Sequence, residues 1–191
     1  MEFLVVGLGN PGPRYSLTRH NAGFIFLDFL AEGIGAKFQE KRAYEAEYTH
    51  GELVGIRLHL LKPQTFMNLS GRSVAAFLRN SEIPIDQVLV FHDEVEIPMG
   101  DLRIKLGGGD AGHNGLKSMR DSLGSGEFHR FRMGVGRSTD TSQDLAAYVL
   151  ERYSKDEQEI LMKQLQGCED SLAIFIKEGL QKAQMKAAEL S

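Results

Sequence analysis

The sequence is short of several things, and each shortage excludes a class of protein. There is one cysteine, Cys168, so no internal disulfide can form and the two-cysteine half of a zinc site is ruled out. No apolar run approaches the roughly 20 residues that span a bilayer. The opening segment, Met1-Glu2-Phe3-Leu4-Val5-Val6-Gly7, has an acid where a secretion signal wants basic residues, and glycine cuts its apolar run short. It predicts the first strand of a cytoplasmic protein. No G-x-S-x-G turn exists to expose a serine nucleophile. No H-E-x-x-H pair exists either, and His50, His59, His92, His113 and His129 show no metal-ligand spacing. Cys168 has no histidine near it in sequence, which suits a buried structural thiol better than a nucleophile.

What is present is an ordinary globular composition, 42% hydrophobic and 25% charged over 191 residues, enough for one domain with one core. The formal net charge is −4, but it is unevenly spread. Residues 103–137 carry seven basic side chains (Arg103, Lys105, Lys117, Arg120, Arg130, Arg132, Arg137) against Asp110, Asp121 and Glu127. A local patch of this kind can meet a polyanion even on an acidic protein, because charges act within a Debye length of roughly 8 Å. A solvated surface with no partner gives the same pattern.

Phe3 to Val6 is a short apolar run ending in glycines, as expected of a strand buried on both faces. Residues 9–19 are a loop. A helix is expected from about Asn21 through Phe29 and Leu30, apolar on most sides. Residues 44–48 and 53–61 read as strands joined across His50-Gly51-Glu52. Residues 69–80 have helical spacing, with Pro84 as a stop. Val88 to Phe91 is a second buried-strand run, ending in His92-Asp93-Glu94. Residues 102–106 and 130–135 alternate as half-buried strands, and between them a triglycine loop leads to a helix over 114–123. Residues 155–190 read as two helical pieces broken near Gly167. There is no repeat and no linker. Alternating strands and helices predict a single α/β domain over residues 1–191, around a mixed sheet.

Gly7-Leu8-Gly9-Asn10-Pro11-Gly12 spells the dinucleotide-binding fingerprint after a strand, with Asp28 near the place of its ribose-binding acid. The mechanism needs those glycines to open a helix whose free N–H groups hold a pyrophosphate. Pro11 and Pro13 flank the last glycine, and the stretch beyond lacks helical spacing, so the sequence argues against a nicotinamide-dependent oxidoreductase.

Sites in open α/β sheets gather at the carboxyl ends of strands. The two buried-strand runs end near Asn10 and at Asp93, and His20 sits at the entry to the first helix. A histidine can take a proton at neutral pH when a carboxylate fixes its tautomer. Spacing alone leaves open whether His20 and Asp93 meet. With no side-chain nucleophile and no metal motif, such a base would act on water, and hydrolysis of an activated ester is the simplest chemistry. Asn10, Asn68 and Asn114 offer donors and acceptors without charge, although Asn68 and Asn114 would equally serve as helix caps. Phe66 and Met67 read more readily as core than as ligand contacts. Lys105 and the Arg130-Phe131-Arg132 strand would set cations beside phosphates or simply face solvent.

These residues fall into longer motifs. Gly7 to Gly12, Tyr15 and Thr18-Arg19-His20-Asn21-Ala22-Gly23 form the first. Residues 62–71, Lys62 through Phe66-Met67-Asn68 to Gly71, form the second. His92-Asp93-Glu94 with Pro98 and Gly100 is the third. Lys105 to Gly109 with Gly112-His113-Asn114-Gly115-Leu116 is the fourth, and Phe128 to Arg132 with Gly134-Val135-Gly136 the fifth. In this order the set resembles the bacterial peptidyl-tRNA hydrolase family. The resemblance implies a twisted mixed sheet surrounded by helices, monomeric, without metal or cofactor, that cleaves the ester between a peptide and the terminal ribose of tRNA.

It also implies roles. His20 would be the base on water, with Asp93 holding it. Asn10 would place substrate and separate N-blocked from free aminoacyl-tRNA. Tyr15, Phe66, Asn68 and Asn114 would line the substrate groove, with Met67 and His113 beside them, and Lys105 and Arg132 would contact tRNA phosphates. Val95, Glu96 and Met99 depart from residues common in the third motif, and Phe66 stands where tyrosine also occurs, keeping the aromatic wall without its hydroxyl. A non-catalytic RNA-binding protein on the same scaffold is the competing expectation. The intact set His20, Asp93, Asn10, Asn68 and Asn114 speaks for the enzyme.

Overall fold

The apolar run near the N-terminus forms strand β1 (Glu2–Gly7), and the second run forms β5 (Val88–Glu94), all seven residues of which are buried. In the computed structural model, which describes residues 1–191, these two strands lie side by side and parallel at the centre of a seven-stranded sheet. The other strands are β2 (Gln39–Lys41), β3 (Ala46–Leu53), β4 (Ile56–Pro63), β6 (Leu102–Leu106) and β7 (His129–Gly134). Their order is β2-β3-β4-β1-β5-β7-β6. The four central strands β4, β1, β5 and β7 run parallel, while β2 and β3 on one side and β6 on the other are antiparallel to their neighbours. The sheet is mixed, as the sequence implied.

Six helices cover it: α1 (Ala22–Gly33), α2 (Ser70–Leu78), α3 (Asn114–Leu123), α4 (Leu145–Val149), α5 (Lys155–Glu178) and α6 (Leu180–Ala188). Alternation along the strands divides the apolar side chains between two layers. Phe3, Val5, Leu89, Phe91 and Phe131 face α1, α5 and α6, with Phe26, Phe91 and Phe131 stacked at centroid spacings of 4.2 and 4.3 Å. Leu4, Val6, Val88 and Val90 face α2 and α3. One domain with a helical layer on each face results. Cys168 is buried in the first of these layers, and its burial pushes the thiol well above the usual range, which makes it inert.

Three boundaries differ from the expectation, and in each case a side chain or a glycine does something other than end an element. The β3–β4 hairpin turns at Val54-Gly55, both with positive φ (48° and 79°), and Gly51 lies inside β3. A Cβ on Gly51 would sit 2.8 Å from the Ile34 side chain, so its small size serves packing. The long C-terminal helix runs through Gly167, where a Cβ would meet Leu190 at 2.5 Å, and breaks at Gly179 instead. Neither Asn68 nor Asn114 caps a helix: Asn114 is the first residue of α3 and His113 is the cap. The fingerprint glycines open no helix either. Pro13–Tyr15 is a single 3-10 turn, and α1 starts only at Ala22.

Candidate active site

The parallel register of β1 and β5 pairs Gly7 with Phe91, and the Leu8 N–H continues the ladder to the Phe91 carbonyl. The segments holding Asn10 and Asp93 therefore emerge at the same end of the sheet. His20 reaches them because α1 rests unusually close to the two strands. A Cβ on Gly7 would lie 2.4 Å from the Gly23 carbonyl, and one on Gly23 would lie 2.3 Å from that of Phe91. Only glycine permits the approach. The turn Arg19–Asn21 that leads into α1 is held down by Arg19, whose buried guanidinium bonds the Tyr148 carbonyl (2.9 Å) and Glu157 (2.8 Å) and stacks on the Tyr148 ring.

His20 Nδ1 lies 2.8 Å from Asp93 Oδ2, so the dyad left open by spacing exists in the fold. The other carboxylate oxygen, Oδ1, lies 2.9 Å from His113 Nε2, a contact that sequence reasoning missed. Burial alone would push the His20 imidazole down, but the Asp93 charge and hydrogen bond outweigh it, and the net shift is upward. For Asp93, burial disfavours the charge, yet the two histidines beside it win and hold its carboxyl far below the usual range. Behind them His92 donates from Nδ1 to the Asp93 carbonyl at 2.8 Å and is pushed down to about 3, by burial first and then by His113.

Asn10 is fixed from two sides. Its backbone N–H donates to Asn21 Oδ1 (2.8 Å), its carbonyl accepts from Asn21 Nδ2 (3.0 Å), and its own Oδ1 accepts the Met67 N–H (2.8 Å). The side-chain amide nitrogen of Asn10 is left to face the cleft. Asn21 is a second residue whose role was not read from the sequence.

Around the dyad is a cleft of about 480 Å³. It brings together Asn10, His20, Phe66, Met67, Asn68, Asp93, His113 and Asn114 from the expected set. Phe66 is 58% exposed while Met67 is buried, so one of this pair is a wall and the other is core. Asn68 and Asn114 are exposed at the rim. Unforeseen wall residues come from α4 and the residue after it, Leu145, Ala146, Val149 and Leu150, and from Glu94 and Val95. The signal for α4 was present in Asp144, whose side chain caps it, followed by apolar residues at helical spacing.

Tyr15 stands apart on the Pro13–Tyr15 turn, half-buried under Arg14 and outside the cleft lining. Lys105 and Arg132 also lie outside it, on the neighbouring sheet edge. There β6 and β7 set Arg103 opposite Arg132 and Lys105 opposite Arg130. Like charges facing each other across strands are unfavourable unless an anion sits on them. Burial, then Arg132 and Arg130, push the Lys105 ammonium below the usual lysine range. Arg132 joins this edge to the cleft through Glu94 Oε1 at 3.3 Å. Arg130 corrects the expectation of a phosphate contact: it is 1% exposed and donates to the Gly109 and Gly126 carbonyls, latching the triglycine loop.

His20, Asp93 and His113 lie close enough to suggest a metal centre. Their protons argue otherwise. His113 Nδ1 accepts the Gly115 and Leu116 amide N–H groups at 3.1 and 3.4 Å, so its Nε2 carries the ring proton and has no lone pair for a metal. The cluster is a chain of proton donors ending on a carboxylate, which leaves His20 Nε2 as the free base. What such a site can do is remove a proton from water beside a bound electrophile.

Comparison with known proteins places the chain in a hydrolase family. Residues 4–191 match the family model described as peptidyl-tRNA hydrolase. The chain is 49% identical over 179 residues to the peptidyl-tRNA hydrolase of Geotalea uraniireducens, covering 94% of this chain and 92% of that one. It is 44% identical over 181 residues to that of Mycolicibacterium smegmatis, covering 95% and 94%. The crystal structure of peptidyl-tRNA hydrolase from Acinetobacter baumannii superposes with a TM-score of 0.90 at 32% identity, covering 97% of this chain and 93% of that one.

Proposed function

This chain belongs to the peptidyl-tRNA hydrolase family, an enzyme class that cleaves the ester joining a peptide to tRNA, and we propose that His20 is its general base on water. The observation that carries the reading is the 2.8 Å contact of His20 Nδ1 with the buried Asp93 carboxylate, which points the lone pair of Nε2 into the cleft. His20 Nε2 takes a proton from water, and the oxygen attacks the ester carbonyl carbon. The carbonyl π electrons move to oxygen, and the Asn10 amide N–H groups face the cleft where that negative charge forms. Collapse expels the ribose oxygen, which takes the proton back from the imidazolium, and the new carboxylic acid of the peptide loses the second proton of the water to solvent, leaving free tRNA and a peptide carboxylate. Asp93 stabilises the imidazolium between these two transfers.

The remaining residues bind. Asn68 and Asn114 offer amides to the peptide's own amides, with Met67 and His113 behind them, and Phe66 with α4 forms an apolar wall for its side chains. Tyr15, lying off the cleft, would touch substrate only as it leaves the groove. Lys105 and Arg132 receive tRNA phosphates on the sheet edge. The proposal includes action as a monomer in the cytoplasm without metal or cofactor. No helix is long and apolar enough to cross a membrane.

The test is release of amino acid from N-acetyl-aminoacyl-tRNA and from unblocked aminoacyl-tRNA, in a chelator, by the native chain and by His20→Ala. Fast release from the blocked substrate alone, abolished in His20→Ala while tRNA still binds, is expected. Binding without release by the native chain would instead make this an RNA-binding protein.

A further inference from the structure

We propose that His113 is the positioning residue that sets where every proton in the dyad lies, an inference that rests on the hydrolase reading above. Helix N-termini leave amide N–H groups without partners, and serine, threonine, aspartate or asparagine usually accept them. In α3 the cap is His113, whose Nδ1 accepts from Gly115 and Leu116. That nitrogen therefore cannot carry a proton, and Nε2 must. The Nε2–H points at Asp93 Oδ1 at 2.9 Å.

Asp93 therefore has a fixed donor on Oδ1, while Oδ2 faces His20 Nδ1 at 2.8 Å. With the carboxyl held ionised beside the two histidines, Oδ2 carries no proton of its own to donate. His20 must in turn donate from Nδ1, which leaves Nε2 as the base. Direction thus runs one way, from the α3 amides through His113 and Asp93 to His20. The rings are packed to hold it: His113 lies 5.1 Å from His20 and edge-on to the buried His92 at 5.0 Å.

The consequence appears in Asp93→Asn, where the carboxylate becomes an amide with one acceptor atom and one donor atom. His113 cannot surrender its Nε2 proton, so the carbonyl of the new amide must turn to it, and the amide NH₂ must face His20 Nδ1. His20 is forced into the Nε2–H tautomer and loses its free lone pair. Replacing His113 with glutamine removes the constraint, since an amide can turn over and accept.

The experiment reads imidazole protonation by ¹H–¹⁵N NMR on the ¹⁵N-labelled full-length chain, without substrate, above the pH at which His20 ionises. In the native chain His113 is expected as the Nε2–H tautomer and His20 as Nδ1–H. In Asp93→Asn, His20 is expected to switch to Nε2–H, with turnover falling about 10³- to 10⁴-fold, as the same change does to a serine-protease triad. In Asp93→Asn/His113→Gln, His20 is expected to return to Nδ1–H and turnover to rise roughly tenfold over the single variant. His113→Gln in the Asp93 background lowers turnover, because the rotatable amide replaces a fixed donor. A purely structural role for His113 does not reverse sign between backgrounds. A native His113 protonated on Nδ1, or a His20 that keeps Nδ1–H in Asp93→Asn, overturns the proposal. Neither result depends on turnover, so either is separable from failure of the hydrolase reading.

Discussion

Asn21→Ala tests whether the Asn10 amide is aimed by its neighbour. In the native chain the Asn21 side chain takes both backbone groups of Asn10, at 2.8 and 3.0 Å. Asn21 is 2% exposed and Asn10 8%, so water reaches neither group easily once the side chain is cut back. Each orphaned buried group costs about 1–3 kcal/mol. Partial hydration of the space left by the amide brings the pair to about 3 kcal/mol. For a chain of this size that corresponds to a fall in melting temperature of about 6–12 °C. The Asn10 Oδ1 bond to the Met67 N–H survives, so the loop stays tethered at one point and pivots about it. A displacement of the amide by about 1 Å is expected to lower kcat/KM by roughly 10²-fold. The assays are thermal melting by circular dichroism and cleavage of N-acetyl-aminoacyl-tRNA at a temperature where the variant is fully folded. A melting point within about 1 °C of the native chain, with unchanged kcat/KM, would show that the Asn21 bonds neither support the fold nor position Asn10.

Two further outcomes follow from the geometry. Lys105→Ala is expected to weaken tRNA binding and to reduce its salt dependence by about one ion, read from binding isotherms across a salt series; an unchanged slope would move the phosphate surface off the β6–β7 edge. Gly23→Ala places a Cβ 2.3 Å from the Phe91 carbonyl, so α1 must lift and carry His20 from Asp93. A stability loss of about 1–3 kcal/mol with a larger proportional loss of turnover is expected, and native turnover in this variant would refute the close-approach argument.

How much of this was legible beforehand depended on length and on what glycine was for. β1 and β5 were readable because each is a short continuous apolar run, too brief for a buried helix and cut off by glycine or polar residues, which suits a strand buried on both faces. Those two strands placed Asn10 and Asp93 at one sheet end, so the cleft's location was readable too. Gly51 and Gly167 looked like breaks and were packing contacts, against Ile34 and Leu190. A single sequence does not distinguish a glycine that frees the backbone from one that lets a neighbour in. The three-residue β2 is too short to show a period, and α4 offers only a single turn of one, Leu145, Tyr148 and Val149 behind the Asp144 cap, so its apolar wall was passed over. Arg130 looked like a surface cation because strand alternation does not say which face the triglycine loop will cover. The partnerships of His113 with Asp93, and of Asn21 with Asn10, join side chains far apart along the chain or across a loop, and no local pattern encodes them. The family resemblance located His113 in the site without assigning it this contact.

Proton abstraction from water by His20 Nε2, set by Asp93, is read most directly from the pH–rate profile. Only the neutral imidazole can act as base. Asp93 outweighs burial and raises His20 above the ordinary histidine value of 6.5, while Asp93 itself stays ionised across the range. Single-turnover cleavage of N-acetyl-aminoacyl-tRNA between about pH 5.5 and 8 is therefore expected to fall on the acid side through one ionisation centred above roughly 6.5. A rate that stays level through this range, or that falls only below about 6.5, would contradict a His20 base held by Asp93.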